Sequence, residues 1–392
     1  MPACSVTMRK VFFGADNIIT SLGFTTEENA KNMLDDAIGI RTIRDHSLFP
    51  SPFPGSIIDQ TDFGHRFADS VSSNGDHLTR LEKIFILSVS DALKKSEIDP
   101  ADPRTIFVIS STKGNIELLE ESKKQMFEPE RIHLWKMGDV ISKFFGNPNK
   151  PVIICNACIS GSVAILAAAR MIASGLYDHA VVTGGDVISE FVISGFQSFQ
   201  ALSPDPCKPF DINRTGLSLG EGCGTVVLTA DSTKTGFQQQ VAYLGGATSN
   251  DANHISGPSR DGEGLYLSIA PAMKEAQVTP DDLDFVSAHG TATPYNDEME
   301  SLALTWAGLE NVPVNSFKGY IGHTLGAAGV IETILSIYSI RNNILFKSAG
   351  YSENGVSRPL NVITNHTPKT VRKVLKTASG FGGCNAAIVV GL

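Results

Sequence analysis

NACISGSVAILAAARMIASG, residues 156–175, is the stretch whose reading decides the fold. Just before it, Val152, Ile153 and Ile154 form a short apolar run that predicts a buried strand. Beyond Cys158 come Ala, Ile, Leu, Val, Ser and Gly, with no charge before Arg170. A helix that is apolar and small on every side belongs in the interior. Cys158 is thereby placed on a strand-to-helix turn, close to a helix N-terminus. Unpaired N–H groups and the helix dipole there favour an anion, which predicts a lowered thiol pKa. A nucleophile on such a turn suits acyl transfer.

Other readings of the same cysteine stay open here. Cys155 and Cys158 form C-x-x-C, a spacing shared by redox pairs and by half of a zinc site. No second C-x-x-C and no histidine pair at ligand spacing accompanies it, and no proline stands between the two cysteines. A packed core cysteine is the plainest alternative.

Working outward, the chain alternates short apolar runs with amphipathic stretches, which predicts an α/β architecture with parallel sheets covered on both faces. Thr25-Thr26-Glu27-Glu28 reads as a capping box opening a helix to about Asp36. Residues 48–75, rich in Pro, Ser, Gly and Asp, read as loop, and 77–95 as a helix. Thr105 to Ser110 reads as a strand and Glu117 to Gly146 as helical. The strand–helix theme repeats from about Phe237, giving an expected division into 1–235, carrying Cys158, and 236–392. No Gly/Ser or Pro linker separates these halves.

Composition narrows the class. The chain has 392 residues, 42% hydrophobic and 19% charged, as in a globular protein with a large core. A net charge of −9 argues against nucleic acid as the main partner. No run of about 18 apolar residues is present, so neither a membrane span nor a signal peptide is expected. Six cysteines without a dense framework fit a reducing cytoplasm.

Three more motifs carry chemistry. In SAHGTATPYND, His289 follows the strand ending at Phe285 and Val286, at the carboxyl end where α/β proteins place reactive groups. In SFKGYIGHTLGAAG, His323 precedes a helix whose first turn is built of small residues, so its imidazole is expected to stay neutral. Lys318 lies just upstream and Glu332 just downstream; alone, they would read as a solvated ion pair. In SGFGGCNAA, glycines around Phe381 allow close backbone approach and exposed N–H groups.

Together, Cys158 in NACISG, His289 in HGTATPYND, His323 in KGYIGHTLGAAG and Phe381 in GFGGCN resemble, in order, the signature blocks of the β-ketoacyl-ACP synthases of the elongating Cys-His-His class. KPFDINRTGLSLGEGCG (208–224) and DANHISGP (251–258) resemble further family segments, so the resemblance covers essentially the whole chain. It implies the thiolase fold, a five-layered α-β-α-β-α core of two pseudo-symmetric halves. It implies a decarboxylative condensation of malonyl-ACP with an acyl group held on Cys158, in fatty-acid or polyketide and polyene elongation.

In that scheme His289 and His323 promote decarboxylation. Lys318 holds the His323 region through Glu332. Phe381 supplies an oxyanion N–H and gates the acyl pocket, and Thr291 and Thr293 contact the pantetheine arm. The resemblance also implies an acyl carrier protein as partner, a homodimer, and no cofactor or metal. A basic docking patch is expected, with Lys208, Arg214 and Lys123 or Lys124 as candidates.

The sequence departs from the family at Asn156, Thr215, Asn296 and Cys384, where other residues are usual. Cys384 keeps a thiolase acting on CoA esters in view, although thiolases lack the GHTLGAAG arrangement. A non-catalytic chain-length partner subunit is the other alternative, against which the nucleophile itself argues. Cys155 is expected to be a buried neighbour without chemistry of its own.

Overall fold

The computed structural model describes residues 8–71, 75–254 and 257–392. Its frame is one mixed sheet of ten strands. In chain order these are β1 (Val11–Ile19), β2 (Thr105–Ser110), β3 (Val152–Ile154), β4 (His179–Asp186) and β5 (Gly222–Thr229), then β6 (Val241–Asn250), β7 (Phe285–Ser287), β8 (Val314–Asn315), β9 (Lys373–Gly380) and β10 (Cys384–Gly391). From edge to edge they run β8-β7-β9-β10-β6-β1-β5-β4-β2-β3. Counted from either edge, each half has the order third, second, fourth, fifth, first. The directions match as well. The second strand of each half pairs parallel with its third and fourth, and the fourth and fifth pair antiparallel. The halves meet where Val11–Phe13 pairs antiparallel with Val241–Tyr243.

All-parallel pairing was the sequence expectation, and the antiparallel strands correct it. The GFGG turn links β9 directly to β10 as a hairpin, and a tight hairpin can only join antiparallel strands.

The helices are α1 (Thr26–Leu34), α2 (Gln60–Ser70), α3 (Arg80–Leu93), α4 (Leu134–Phe144), α5 (Ser160–Ala173), α6 (Glu190–Ser198), α7 (Glu263–Ala276), α8 (Pro294–Trp306), the single turn α9 (Lys318–Ile321) and α10 (Ala328–Asn342). Both α1 and α3 open on capping boxes, at Thr25/Glu28 and Thr79/Glu82. In the middle, α5 and α10 pack on each other and on both sheet halves, while α3 with α4 and α7 with α8 cover the outer faces. The result is the five-layered thiolase fold.

Two expectations fail locally. Residues 48–75 contain a strand, Phe53–Ser56, and α2, whose N-cap Asp59 accepts from the Thr61 and Asp62 N–H groups. The stretch 117–146 is mostly turns, with α4 its one regular α-helix.

The α5–α10 crossing explains the small residues of the opening stretch. A Cβ on Gly161 would lie 2.7 Å from the Val330 nitrogen, and one on Gly329 would overlap the Ser162 nitrogen. Elsewhere in a helix, Gly→Ala gains up to ~1 kcal/mol from propensity. At Gly329 the sign reverses: Gly329→Ala is expected to cost ~1–3 kcal/mol through overpacking. Thermal denaturation reads this directly, and a raised midpoint would refute the crossing.

Candidate active site

At the end of β3 the chain turns sharply through Cys155–Ile159 into α5. Ala157 sits at φ 43°, a left-handed conformation that costs a non-glycine residue energy and that the surroundings must hold. Ser160 supplies the hold. Its hydroxyl accepts from the Asn156 N–H at 2.8 Å and donates to the Ala157 carbonyl at 2.6 Å. The strained turn sets Cys158, 7% exposed, into a cavity of about 260 Å³ that His289, His323 and Phe381 also line.

His289 leaves the carboxyl end of β7, and His323 follows α9 just past β8, so each half of the sheet delivers its part to one place. The imidazoles meet edge to face, centroids 5.2 Å apart, and the Cys158 Sγ and one ring nitrogen of each histidine lie within 4.8 Å of one another.

The hydrogen bonds fix the tautomers. Lys318 Nζ stands 3.2 Å from His289 Nδ1, and an ammonium only donates, so Nδ1 accepts. The Leu325 N–H donates to His323 Nδ1 at 3.3 Å. In both neutral rings the proton therefore resides on Nε2. His323 Nε2 is buried without a protein partner. Burial first, then the nearby lysines Lys318 and Lys376, hold both imidazoles well below their ordinary pKa. His323 is neutral as the sequence predicts, but burial and lysines are the cause. Cys, His and His are also zinc ligand types. With each Nδ1 lone pair already accepting a hydrogen bond, the rings offer the cavity N–H groups, and the set does not suit a metal ion.

The thiol corrects the opening expectation. Burial, with Cys384 adding to it, pushes Cys158 up to about 12, and the opposing pull of Lys318, Lys113 and the Phe381 N–H is smaller. The helix terminus alone does not make a thiolate. Alkylation of Cys158 by iodoacetamide is accordingly expected to keep rising through pH 9, with no plateau near neutrality. A plateau at pH 7 would contradict this.

Behind His289 lies a buried charge network. Lys318 Nζ donates to the His289 carbonyl at 2.6 Å and pairs with Glu332 at 2.6 Å. Lys318 thus holds His289, where the sequence reading assigned it to the His323 region. Neither Lys318 nor Glu332 lines the cavity, so both are positioning residues. Glu300 accepts from the His289 and Gly290 N–H groups, each at 2.7 Å. Asp297, pushed up to about 7 by burial, accepts from the Phe210, Thr291 and Ala292 N–H groups and so ties the KPFD segment to the HGTAT loop. Sequence reasoning missed the roles of Glu300, Asp297 and Lys376. Glu300 and Asp297 fall on the inward side of α8, the signal that could have found two of them.

Phe381 packs on Phe196 and Phe199, with centroids 5.5 and 5.2 Å away, at the cavity wall. Behind it, a Cβ on Gly380 would lie 3.0 Å from the Cys158 nitrogen, so glycine lets this loop lie against the nucleophile turn. Thr291 and Thr293 line the cavity, their hydroxyls 3.0 Å apart. Cys384 is buried beside the nucleophile turn, its Sγ 3.4 Å from the Phe381 carbonyl. Cys155 is exposed, contrary to expectation, because β3 is an edge strand.

The proposed basic patch does not assemble. Lys123 pairs with Glu117 and Glu120, Lys124 pairs with Glu121, and Arg214 donates to the Asp211 and Gly355 carbonyls. Of the family segment 251–258, Ile255 and Ser256 lie outside the described residues.

Comparison with known proteins agrees with this geometry. Residues 11–234 match the beta-ketoacyl synthase N-terminal domain and 241–352 the C-terminal domain. The 3-oxoacyl-[acyl-carrier-protein] synthase 2 of Rhizobium meliloti is 29% identical over 98% of this chain and 99% of its own. The mitochondrial 3-oxoacyl-[acyl-carrier-protein] synthase of Arabidopsis thaliana is 31% identical over 67% of this chain and 60% of its own. Among solved structures, the ishigamide ketosynthase/chain length factor superposes with a TM-score of 0.87 at 25% identity, over 98% of this chain and 99% of that one. A beta-ketoacyl synthase from Burkholderia phymatum gives 0.86 at 23%, with the same coverage. On the matched domains, the fold and the convergence of Cys158, His289 and His323, this chain belongs to the beta-ketoacyl synthase family.

Proposed function

We propose that the protein is a 3-oxoacyl-[acyl-carrier-protein] synthase that elongates an acyl chain held on Cys158. The observation that carries this is the pair of Nε2–H donors, His289 and His323, gathered within 4.8 Å of the thiol. Cys158 Sγ attacks the thioester carbonyl of an acyl carrier protein. The N–H groups of Cys158 and Phe381 bind the tetrahedral oxyanion. The pantetheine sulfur leaves with the proton the thiol gives up.

Malonyl-ACP then enters past Thr291 and Thr293. Its C–CO₂⁻ bond breaks, carbon dioxide leaves, and the electron pair moves into the thioester as an enolate. Both Nε2–H groups donate to that enolate oxygen, and their neutrality lets them do so without altering the net charge. The carbanion attacks the acyl carbonyl on Cys158. The Cys158 sulfur departs, takes a proton from solvent, and β-ketoacyl-ACP is released. Phe381, against Phe196 and Phe199, gates the acyl pocket.

The partner is an acyl carrier protein, and the working unit is a homodimer. The edge strand β3, half-buried in the single chain and directly before the nucleophile turn, is the surface a second copy would cover. Residues 1–235 and 236–392 act as the two halves, joined at the left-handed Gly236. Incubation with acyl-ACP and malonyl-ACP is expected to yield β-ketoacyl-ACP and carbon dioxide in equal amounts. Acyl exchange with CoA esters and no carbon dioxide would favour a thiolase instead.

A further inference from the structure

Lys376 is buried at 0% exposure on β9 and does not line the cavity. No motif drew attention to it. Strand register puts it opposite Ser287 on β7, two residues before His289. Its ammonium donates to the Ser287 carbonyl at 3.2 Å, the Ala288 carbonyl at 3.3 Å and the Thr377 carbonyl at 2.6 Å. It also pairs with Glu332 at 2.6 Å, on the carboxylate oxygen that Lys318 leaves free.

Buried charges thus hold the backbone step by step: Lys376 takes the carbonyls of Ser287 and Ala288, Lys318 the carbonyl of His289, and Glu300 the N–H groups of His289 and Gly290. The Thr377 hydroxyl donates to Glu300 at 2.7 Å and closes the circuit back onto β9. Two lysines balance two carboxylates around neutral rings, so a lysine confined here is not replaceable by an apolar side chain without leaving an uncompensated carboxylate.

We propose that Lys376 is a positioning residue for the decarboxylation step, fixing the end of β7 so that His289 presents Nε2–H to the malonyl thioester. It rests on the condensing function above, and it concerns one half-reaction. Acyl loading uses Cys158 and the Phe381 loop, which Lys376 does not touch. Decarboxylation uses the ring it orients.

The charged and titratable groups around the two rings are Cys158, Lys318, Lys376, Glu332 and Glu300, with Asp297 and Asp186 one loop further out. Removing the Lys376 cation raises the affinity of both imidazoles for a proton. A proton on Nδ1 ends its bond from Lys318 or from the Leu325 N–H and releases the ring. The acid limb of decarboxylation should therefore move to higher pH.

The test is Lys376→Met beside the parent protein, with Lys376→Arg as the conservative variant. Acyl loading, read by intact mass, should stay within ~3-fold, while malonyl-ACP decarboxylation falls ~100-fold, the scale of a misplaced catalytic group. The acid limb should shift upward, and Lys376→Arg should recover most of the rate and the parent limb. If Lys376→Met does not fold, Lys376→Gln takes its place, keeping a donor while losing the charge, and the limb shift is the deciding reading. Unchanged rate and unchanged limb in a folded variant overturn the proposal. A parent protein that neither loads nor decarboxylates would instead overturn the condensing function itself.

Discussion

Cys158→Ala should lose acyl-enzyme formation and condensation together, a fall on the order of 10⁶-fold by analogy with removal of other covalent nucleophiles. The site offers no substitute. Cys384 lies beside the nucleophile turn, but burial pushes its thiol up to about 11 and its Sγ is directed at the Phe381 and Asn156 carbonyls. Cys155 is exposed on the far side of the strained Ala157. The fold should survive, because the turn is held by Ser160 and by the backbone, and the cysteine sulfur borders the cavity. Condensation by a folded Cys158→Ala protein would sink the assignment. Acyl loading on intact mass and β-ketoacyl product are the two readings.

The histidines should separate the half-reactions. His289→Ala and His323→Ala each remove one Nε2–H donor to the enolate, and loss of a single preorganised donor costs about 10²–10³-fold. Both variants should still take acyl groups onto Cys158, since the oxyanion donors of that step are the Cys158 and Phe381 N–H groups. His289→Ala should be the more damaging. It also strands Lys318, whose ammonium loses the Nδ1 acceptor in a fully buried position. Malonyl-ACP decarboxylation at the parent rate in either variant would refute that histidine's role.

What was legible from the residues follows from how local each signal is. Cys158, His289, His323 and Phe381 each sit in a contiguous block whose small residues and glycines are written beside them. The interior helix α5 was likewise visible as an uncharged run of small side chains. The supporting network was not. Lys376 meets Ser287 and Glu332, and Glu300 meets His289 and Thr377, across strands and helices far apart in the chain.

The misreadings share a physical cause: each weighed a local term and omitted a tertiary one. A helix N-terminus argues for a thiolate, yet burial pushes the Cys158 thiol the other way. Pro, Ser, Gly and Asp argue for loop over 48–75, yet α2 buries Phe63 and Phe67 and is capped by Asp59. The mixed charges of 117–146 look helical, but regular α-helix begins only at Leu134, where an apolar face meets α3.

The most direct measurement is intact-protein mass spectrometry of the parent chain offered acyl-ACPs of graded length, followed by peptide mapping and a chase with malonyl-ACP. One acyl adduct per chain, confined to Cys158 and discharged as β-ketoacyl-ACP with release of carbon dioxide, is the expected result. An adduct on another residue, or one at Cys158 that malonyl-ACP fails to discharge, would contradict a decarboxylative condensation at this site.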